Sequence, residues 1–375
     1  MNSKIDFVNV SRIVLTIHRG LIQKAYESFK ELGFGHIMVE DSRTVRRHNS
    51  YGFLDAIGFG SNFIDSSSCI VRAVVPNEAT EYVISTLISD LELRTPGRGS
   101  VYSQKITELG HRKLRELNIG ETKSDRLLRE LTLITGIQSK NSNCEEISKV
   151  ALKIGAGVPT VGIGKGTGLR NRIGLLRITI SQEKELTFLA VPSCDANGLQ
   201  NMLVQKGKLN RHAGGFIYQT PIEMGLVDPL ICIGSQEHAA SLEQIINAID
   251  EIKQSTDWRK RLFEGEEYAD LPTKTSYTHK ELSFICPLEH SDAYVQAAMD
   301  EGAPGATLTT MREIDLTGDK PVVTNTYECA IICIQKSMED KIIDAIIAKS
   351  EENKEEDWFI QMIDASSIYA TYRRK

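Results

Sequence analysis

The sequence has few of the features that mark membrane, secreted or nucleic-acid-binding proteins. None of its 375 residues lie in a run that approaches the roughly 18 apolar residues of a membrane-spanning helix. The start, MNSKIDFVNVSR, lacks the basic-then-apolar order of a signal peptide. No long basic run occurs, and 44 Lys and Arg against 50 Asp and Glu give a formal charge of −6. The sequence therefore predicts a cytoplasmic protein that is not membrane-inserted and does not bind nucleic acid.

Metal-binding and catalytic patterns are also missing from the sequence. The seven cysteines are scattered and form no C-x-x-C pair, which favours neither a disulfide framework nor a zinc site. The eight histidines are isolated, and no Ser-His-Asp or Cys-His arrangement can be recognised from spacing. We therefore predict no metal, no catalytic residues and no required cofactor, and we expect most cysteines to be reduced and buried.

One order of elements recurs three times along the chain, once in roughly 100 residues. Each copy contains a strand, an amphipathic helix, a glycine turn, a strand, a polar loop, a strand, a second helix and a final strand. This is the βαββαβ order of a ferredoxin-like fold. The strands CIVRAVV, LTFLAV and ECAIICI are apolar on both faces, which is typical of strands that are covered on both sides.

The repeated order predicts an α+β fold in which three ferredoxin-like units form an intramolecular pseudo-trimer. The open faces of the three sheets would pack together around a pseudo-threefold axis. The predicted boundaries are residues 8–120 for the first unit, 126–235 for the second, 236–278 for a helical and charged connector, and 279–375 for the third. Because such a chain satisfies its own interfaces, we expect it to be a monomer.

The glycine turns of the sequence resemble signature segments of the PII signal-transduction family, the nitrogen regulatory proteins. The segments are TPGRGSVY, GAGVPTVG and GAPGATLT, at residues 95–102, 155–162 and 302–309. PII proteins are homotrimers of one ferredoxin-like unit, with a T-loop after the second strand and a glycine-rich B-loop before the last. They bind ATP or ADP between neighbouring units. The resemblance covers nearly the whole chain and implies a regulator rather than an enzyme.

The same resemblance implies which residues would bind a nucleotide. Glycines allow backbone N–H groups to approach phosphate oxygens closely. The implied residues are Thr95, Gly97, Arg98 and Gly99 in the first B-loop, Arg211, Gly214 and Gly215 in the second, and Thr160 and Thr307 near the base. The third unit has no B-loop glycine, so at most two phosphate sites are expected. The alternative for each turn is a purely structural role.

Two polar loops are candidates for contact with a ligand or a partner protein. They span residues 40–68 and 162–174, and long loops within compact domains are often functional. The candidate contact residues are Arg46, Arg47 and Tyr51 in the first loop and Lys165, Arg170 and Arg172 in the second. The second loop resembles a phosphate cradle, but it lacks the Lys-Ser/Thr pair and the following helix of a Walker A motif.

These observations predict a PII-like regulatory protein that senses a small ligand in clefts between units, with ATP, ADP or AMP as candidates. The resemblance implies a protein partner such as the cytoplasmic face of a membrane transporter or a metabolic enzyme. Two alternatives stay open. One is a nucleotide-hydrolysing enzyme that uses the glycine loops and their basic residues. The other is a structural scaffold that has lost its ligand sites, whose melting temperature would not respond to nucleotides.

Overall fold

The structure is a computed structural model of the whole chain. It describes residues 6–49, 61–110, 117–120, 127–139, 145–153, 156–168, 183–207, 209, 215–228, 232–234, 252, 277–355 and 357–370. Most of the predicted connector, residues 236–278, lies outside these ranges.

Thirteen strands and six α-helices lie within the described residues. The strands are β1 Asp6–His18, β2 His36–Asn49, β3 Ser61–Val75, β4 Gly99–Gly110, β5 Leu128–Ser139, β6 Thr160–Gly168, β7 Glu183–Pro192, β8 Phe216–Leu226, β9 Cys232–Gly234, β10 His279–Pro287, β11 Gly305–Asp315, β12 Val322–Gln335 and β13 Phe359–Ala370. The helices are α1 Ile22–Glu31, α2 Thr80–Asp90, α3 Glu145–Lys153, α4 Ser193–Lys206, α5 Ser291–Asp300 and α6 Glu339–Asn353.

All thirteen strands belong to one sheet, which closes on itself. The strand order is β10-β12-β11-β6-β7-β5-β8-β13-β4-β1-β3-β2-β9, and β2 also pairs with β11. That last pairing runs from Val39 opposite Arg312 to His36 opposite Asp315. The ten strands from β11 to β2 therefore form a closed antiparallel barrel, and β10 and β12 are two further strands that connect β11 with β13.

The predicted fold class, three ferredoxin-like units arranged as a pseudo-trimer, is therefore wrong. The strands are not divided among three sheets that pack face to face, because β2 pairs with both β11 and β6 and β8 pairs with both β4 and β13. An unpaired edge strand exposes backbone N–H and C=O groups, and pairing between distant strands satisfies them. Sequence periodicity identifies strands but does not reveal which edges join.

Side chains along each strand point alternately to the outer and the inner face of the closed sheet. On β1, Ile13, Leu15 and Ile17 belong to a core that α1 and α2 cover. The intervening Arg12 and Val14 point to the other face, toward the interior cavity. Side chains alternate in this way because the period of a strand is two residues. Both faces are buried, which explains the apolar character of these strands.

The helices lie in three pairs on the outer face. The pair α1 and α2 covers one apolar cluster, α3 and α4 cover a second, and α5 and α6 cover a third. Two further clusters, which include Tyr218, Phe359 and Val14, fill part of the inner side. Among the described residues, no helix is long and apolar enough to cross a membrane.

Much of the loop predicted at residues 40–68 is a hairpin instead. Strands β2 and β3 pair continuously from Met38 opposite Arg72 to Asn49 opposite Ser61. Arg43 binds Asp65 across this pair and also donates to Glu185 of β7 at 3.0 Å. Burial alone would lower the pKa of Arg43, but the hydrogen bond and charge of Asp65 together with Glu185 raise it. These cross-strand ion pairs let a polar sequence form strands.

Candidate functional site

The candidate site is the glycine turn at residues 95–99, between α2 and β4. The turn is held by local hydrogen bonds: the Thr95 N–H donates to the Glu92 carbonyl at 3.0 Å and the Arg98 N–H donates to the Thr95 carbonyl at 3.3 Å. The Arg98 carbonyl accepts from the His18 N–H at 3.2 Å. These bonds fix the turn against the end of β1.

Two positions in the turn require glycine. Gly97 has a φ of 87° and Gly99 a φ of 149°, and both values lie where side chains are strained. A Cβ on Gly99 would lie 2.1 Å from the Thr16 carbonyl oxygen. The backbone of the turn therefore packs directly against β1.

A carboxylate of the chain itself occupies this turn. The Gly97 N–H donates to Asp228 Oδ1 at 2.9 Å, and Asp228 is buried just beyond the end of β8. Backbone N–H groups in glycine turns bind anions because their partial positive charges converge. One backbone N–H of the turn therefore binds a carboxylate that a distant part of the chain supplies.

Arg46 of β2 completes the site. Its Nη2 donates to the Gly97 carbonyl at 2.7 Å and lies 3.6 Å from Asp228 Oδ2. Arg46 is 7% exposed, and among the described residues its Nε has no hydrogen-bond partner. A buried guanidinium with an unused donor can bind a further acceptor oxygen.

Arg98, predicted to contact phosphate, lies on the other side of the turn. Its Nε donates to the Leu91 carbonyl at 2.8 Å, and its Nη1 lies 3.4 Å from Glu92 Oε2. The side chain therefore binds the C-terminal end of α2. Arg46, expected only as a loop residue, takes the position beside Gly97.

The two predicted threonines lie at different distances along the sheet from this site. Thr160 is buried on β6, opposite Thr44 of β2, two positions from Arg46. Thr307 is buried on β11, opposite Gly166 of β6. Pairing with β2 therefore brings Thr160, but not Thr307, into the neighbourhood of the turn.

The second predicted glycine turn is described only in part. Gly215 has a φ of 138°, and a Cβ there would lie 2.7 Å from the Ile137 carbonyl oxygen. It therefore packs against β5 as Gly99 packs against β1. Arg211 and Gly214 lie outside the described residues.

The remaining predicted contact residues are dispersed. Lys165 is exposed on β6, opposite Glu183 and Leu308. The backbone of Arg47 pairs with Phe63. Tyr51, Arg170 and Arg172 lie outside the described residues.

A short parallel strand connects the site with the hairpin. Asp228 lies four positions before Cys232, the first residue of β9, and β9 pairs with residues 47–49 of β2, directly after Arg46. The segment that supplies the carboxylate therefore also supplies a strand to the end of β2.

Asp228 was not predicted from the sequence. It lies 131 residues from Gly97, in the segment GLVDP after an apolar strand. A carboxylate at a strand end before proline is a common turn pattern, so nothing in the local sequence distinguishes it. Only the pairing of β4 with β8 brings the two segments together.

Comparisons with known proteins assign no family to this chain. No family model matches the sequence, and no curated protein matches it. In the part of the chain that the structure describes, no group of three or more His, Cys, Asp or Glu side chains is arranged to hold a metal ion.

Proposed function

We propose that this chain is a PII-like regulatory protein that binds the phosphate of an adenine nucleotide, ATP, ADP or AMP, at the glycine turn. The observation that carries the proposal is the hydrogen bond from the Gly97 N–H to the Asp228 carboxylate, at 2.9 Å. A turn that binds a carboxylate has the geometry to bind a phosphate oxygen, and buried Arg46 adds positive charge.

The proposed mechanism is competition between the ligand and Asp228. A phosphate would displace the carboxylate from Gly97 and bind the unused Nε of Arg46. Displacement would shift the segment that includes β9 and weaken its pairing with residues 47–49. Ligand binding would thus change the population of states at the end of the β2–β3 hairpin, where a partner protein would dock.

The setting of this regulation is also proposed. We place the protein in the cytoplasm, with the cytoplasmic face of a membrane transporter or a metabolic enzyme as the partner. The support is the resemblance of TPGRGSVY to the PII turn. A pull-down with and without ATP tests it, and recovery of neither class of partner in either condition would count against it.

The ligand proposal is tested by calorimetry with ATP, ADP and AMP, with adenosine and inorganic phosphate as separate arms. We expect nucleotides to bind and adenosine to bind much more weakly, because adenosine lacks the phosphate. Asp228→Asn should tighten nucleotide binding about fivefold, because a neutral amide competes for the Gly97 N–H by about 1 kcal/mol less than a carboxylate does. Asp319→Asn is the matched control, since Asp319 is exposed and distant in sequence from the turn.

Three outcomes would contradict the proposal. Absence of nucleotide binding at millimolar concentration, together with an unchanged melting temperature, would favour the scaffold alternative, because a ligand that binds only the folded state raises its stability. Steady phosphate release from ATP would favour the hydrolase. Equal affinities of Asp228→Asn and the wild type would show that Asp228 is a structural residue only.

A further inference from the structure

A second candidate site lies inside the closed sheet. A cavity of about 230 Å³ is lined by residues of β1, β2, β3, β4, β5, β7, β10, β11, β12 and β13. Neither Gly97 nor Asp228 nor Arg46 lines it. The cavity is therefore separate from the glycine turn, and a ligand there would not depend on the proposed function.

Gly35, His36 and Ile37, around the start of β2, line one part of the cavity. His36 is exposed to solvent, whereas Gly35 and Ile37 are buried.

A continuous network of hydrogen bonds joins several of the polar residues that line this cavity. Arg12 donates to Gln104 Oε1 at 2.8 Å, to Gln361 Oε1 at 3.3 Å and to Glu281 Oε1 at 3.2 Å. Glu281 also accepts from the Tyr218 hydroxyl at 2.8 Å. The groups of this network come from five different strands, β1, β4, β8, β10 and β13, so strand pairing across the sheet assembles them.

One donor of this network has no acceptor. Arg12 is 6% exposed, and its Nε has no hydrogen-bond partner among the described residues. A buried donor that is left unpaired costs stability, and a ligand oxygen that accepts from it would remove this cost. The cavity therefore fits a ligand with a carboxylate or another acceptor oxygen.

Carboxylates outnumber guanidinium groups around the cavity. Glu108, Glu281 and Glu313 line it together with Arg12 and Arg72, and Arg72 is paired with the buried Glu40. The phenol of Tyr102 and the thiol of Cys329 add no charge, because burial raises the pKa of each to about 12. Glu108 accepts a hydrogen bond from Gln361 at 2.8 Å, and Glu313 accepts from Thr324 and Asn325 at 3.1 Å each. Three lining carboxylates against two guanidinium groups favour a ligand that also carries a cation.

The rest of the wall is apolar. Phe188, Phe359, Met311, Ile285 and Ile331 line it, and they would contact a hydrocarbon group. A volume of about 230 Å³ is below the roughly 300–1,000 Å³ of sites for drug-sized ligands. The ligand should therefore be smaller than an intact nucleotide.

We propose that this cavity binds a small zwitterion, a free α-amino acid with an apolar side chain. The Arg12 Nε would donate to the ligand carboxylate, the glutamates would attract its ammonium group, and the phenylalanine and aliphatic residues would contact its side chain. No covalent step is involved.

The test is calorimetry of the wild-type protein with each of the common amino acids, with butylamine and butyrate as arms that each lack one charge. We expect an apolar amino acid to bind and both single-charge probes to bind at least tenfold more weakly. Absence of heat with every amino acid would overturn the proposal. Equal binding of butylamine and the best amino acid would overturn the zwitterion requirement.

A pair of variants locates the binding. Val14 is 5% exposed and lines the cavity, so Val14→Phe should fill it and abolish amino acid binding. Val8→Phe is the matched control, because Val8 is on the same strand and is 44% exposed. Equal amino acid binding by the two variants would show that the ligand binds elsewhere, which overturns the proposal.

Arg12→Lys is a second variant that tests whether the ligand binds in the cavity, for use if Val14→Phe does not unfold cooperatively. Lysine keeps the positive charge next to Glu281 but has no Nε donor. We expect amino acid affinity to fall about tenfold and ATP affinity to stay unchanged. Loss of ATP binding in this variant, or unchanged amino acid binding, would contradict the assignment. The ATP arm keeps failure of this proposal separate from failure of the nucleotide proposal.

Discussion

The two buried arginines, Arg12 and Arg46, differ in how their carboxylate partners are held. Glu281, the partner of Arg12, lies within β10 and pairs with neighbours on both sides, Cys333 and Ile363. Asp228, the partner of Arg46, lies beyond the end of β8 and close to a strand of three residues. The Arg12 contact is 3.2 Å, whereas the Arg46 contact is 3.6 Å.

This difference indicates which of the two carboxylates can move away from its arginine. A carboxylate in the middle of a paired strand can leave its arginine only if the sheet opens, whereas a carboxylate beyond a strand end can leave by a local movement. The network of Arg12 and Glu281 is therefore held in place by the paired strands around the cavity. Under the proposed function, the Asp228 carboxylate at the glycine turn is exchanged for a phosphate of the ligand.

Replacement of each arginine by methionine tests this comparison and has the largest expected effect. Arg12→Met leaves Glu281 buried without its cation, and loss of one partner of a buried pair costs about 3–5 kcal/mol. Arg46→Met should cost about 1 kcal/mol, because Asp228 lies beyond the end of β8 and keeps its hydrogen bond from the Gly97 N–H. Urea denaturation with linear extrapolation measures both free energies of unfolding. Equal costs would show that both arginines are structural.

Gly99→Ala tests whether the turn itself is fixed, with an expected cost of about 1–3 kcal/mol for a strained backbone. The added Cβ would lie 2.1 Å from the Thr16 carbonyl oxygen, so the start of β4 must shift. Gly318→Ala is the control, because a Cβ there meets nothing closer than 3.7 Å. Thermal unfolding of the two variants measures the difference. A neutral Gly99→Ala would show that the turn moves freely and that exchange need not involve Asp228.

The individual strands and helices could be predicted from the sequence because their patterns are local. The helix expected after Leu21 is α1, and the doubly buried strand CIVRAVV is part of β3, with Val71 in the outer core and Ile70 in the inner one. Alternating burial follows from strand geometry alone. Any strand with both faces buried would give the same apolar run.

The way in which the strands join could not be predicted. Pairing of β2 with β11 depends on backbone groups, which every residue carries, so residues 36–39 contain no pattern that names residues 312–315 as partners. The same limit applies to the candidate site. Arg46 and Gly97 were identified individually, but Asp228 reaches them only because β8 pairs with β4. Polar residues 40–49 suggested a loop because their ion pairs are cross-strand and not visible in one segment.

Glu92→Gln should have the smallest effect on stability and sharpens the role of Arg98. Glu92 is 60% exposed, and its contacts with Arg98 at 3.4 Å and with Lys24 at 3.3 Å are surface ion pairs of the kind that contribute about 0–1 kcal/mol each. Release of Arg98 next to the turn should nevertheless tighten ATP binding about twofold at low salt, because a freed cation attracts phosphate. Glu81→Gln is the matched control, since Glu81 pairs with Arg129 at 3.1 Å and is 46% exposed. Calorimetry at two salt concentrations separates the variants: equal ATP affinities would mean that Arg98 serves α2 alone and that Arg46 is the cation on which phosphate binding depends.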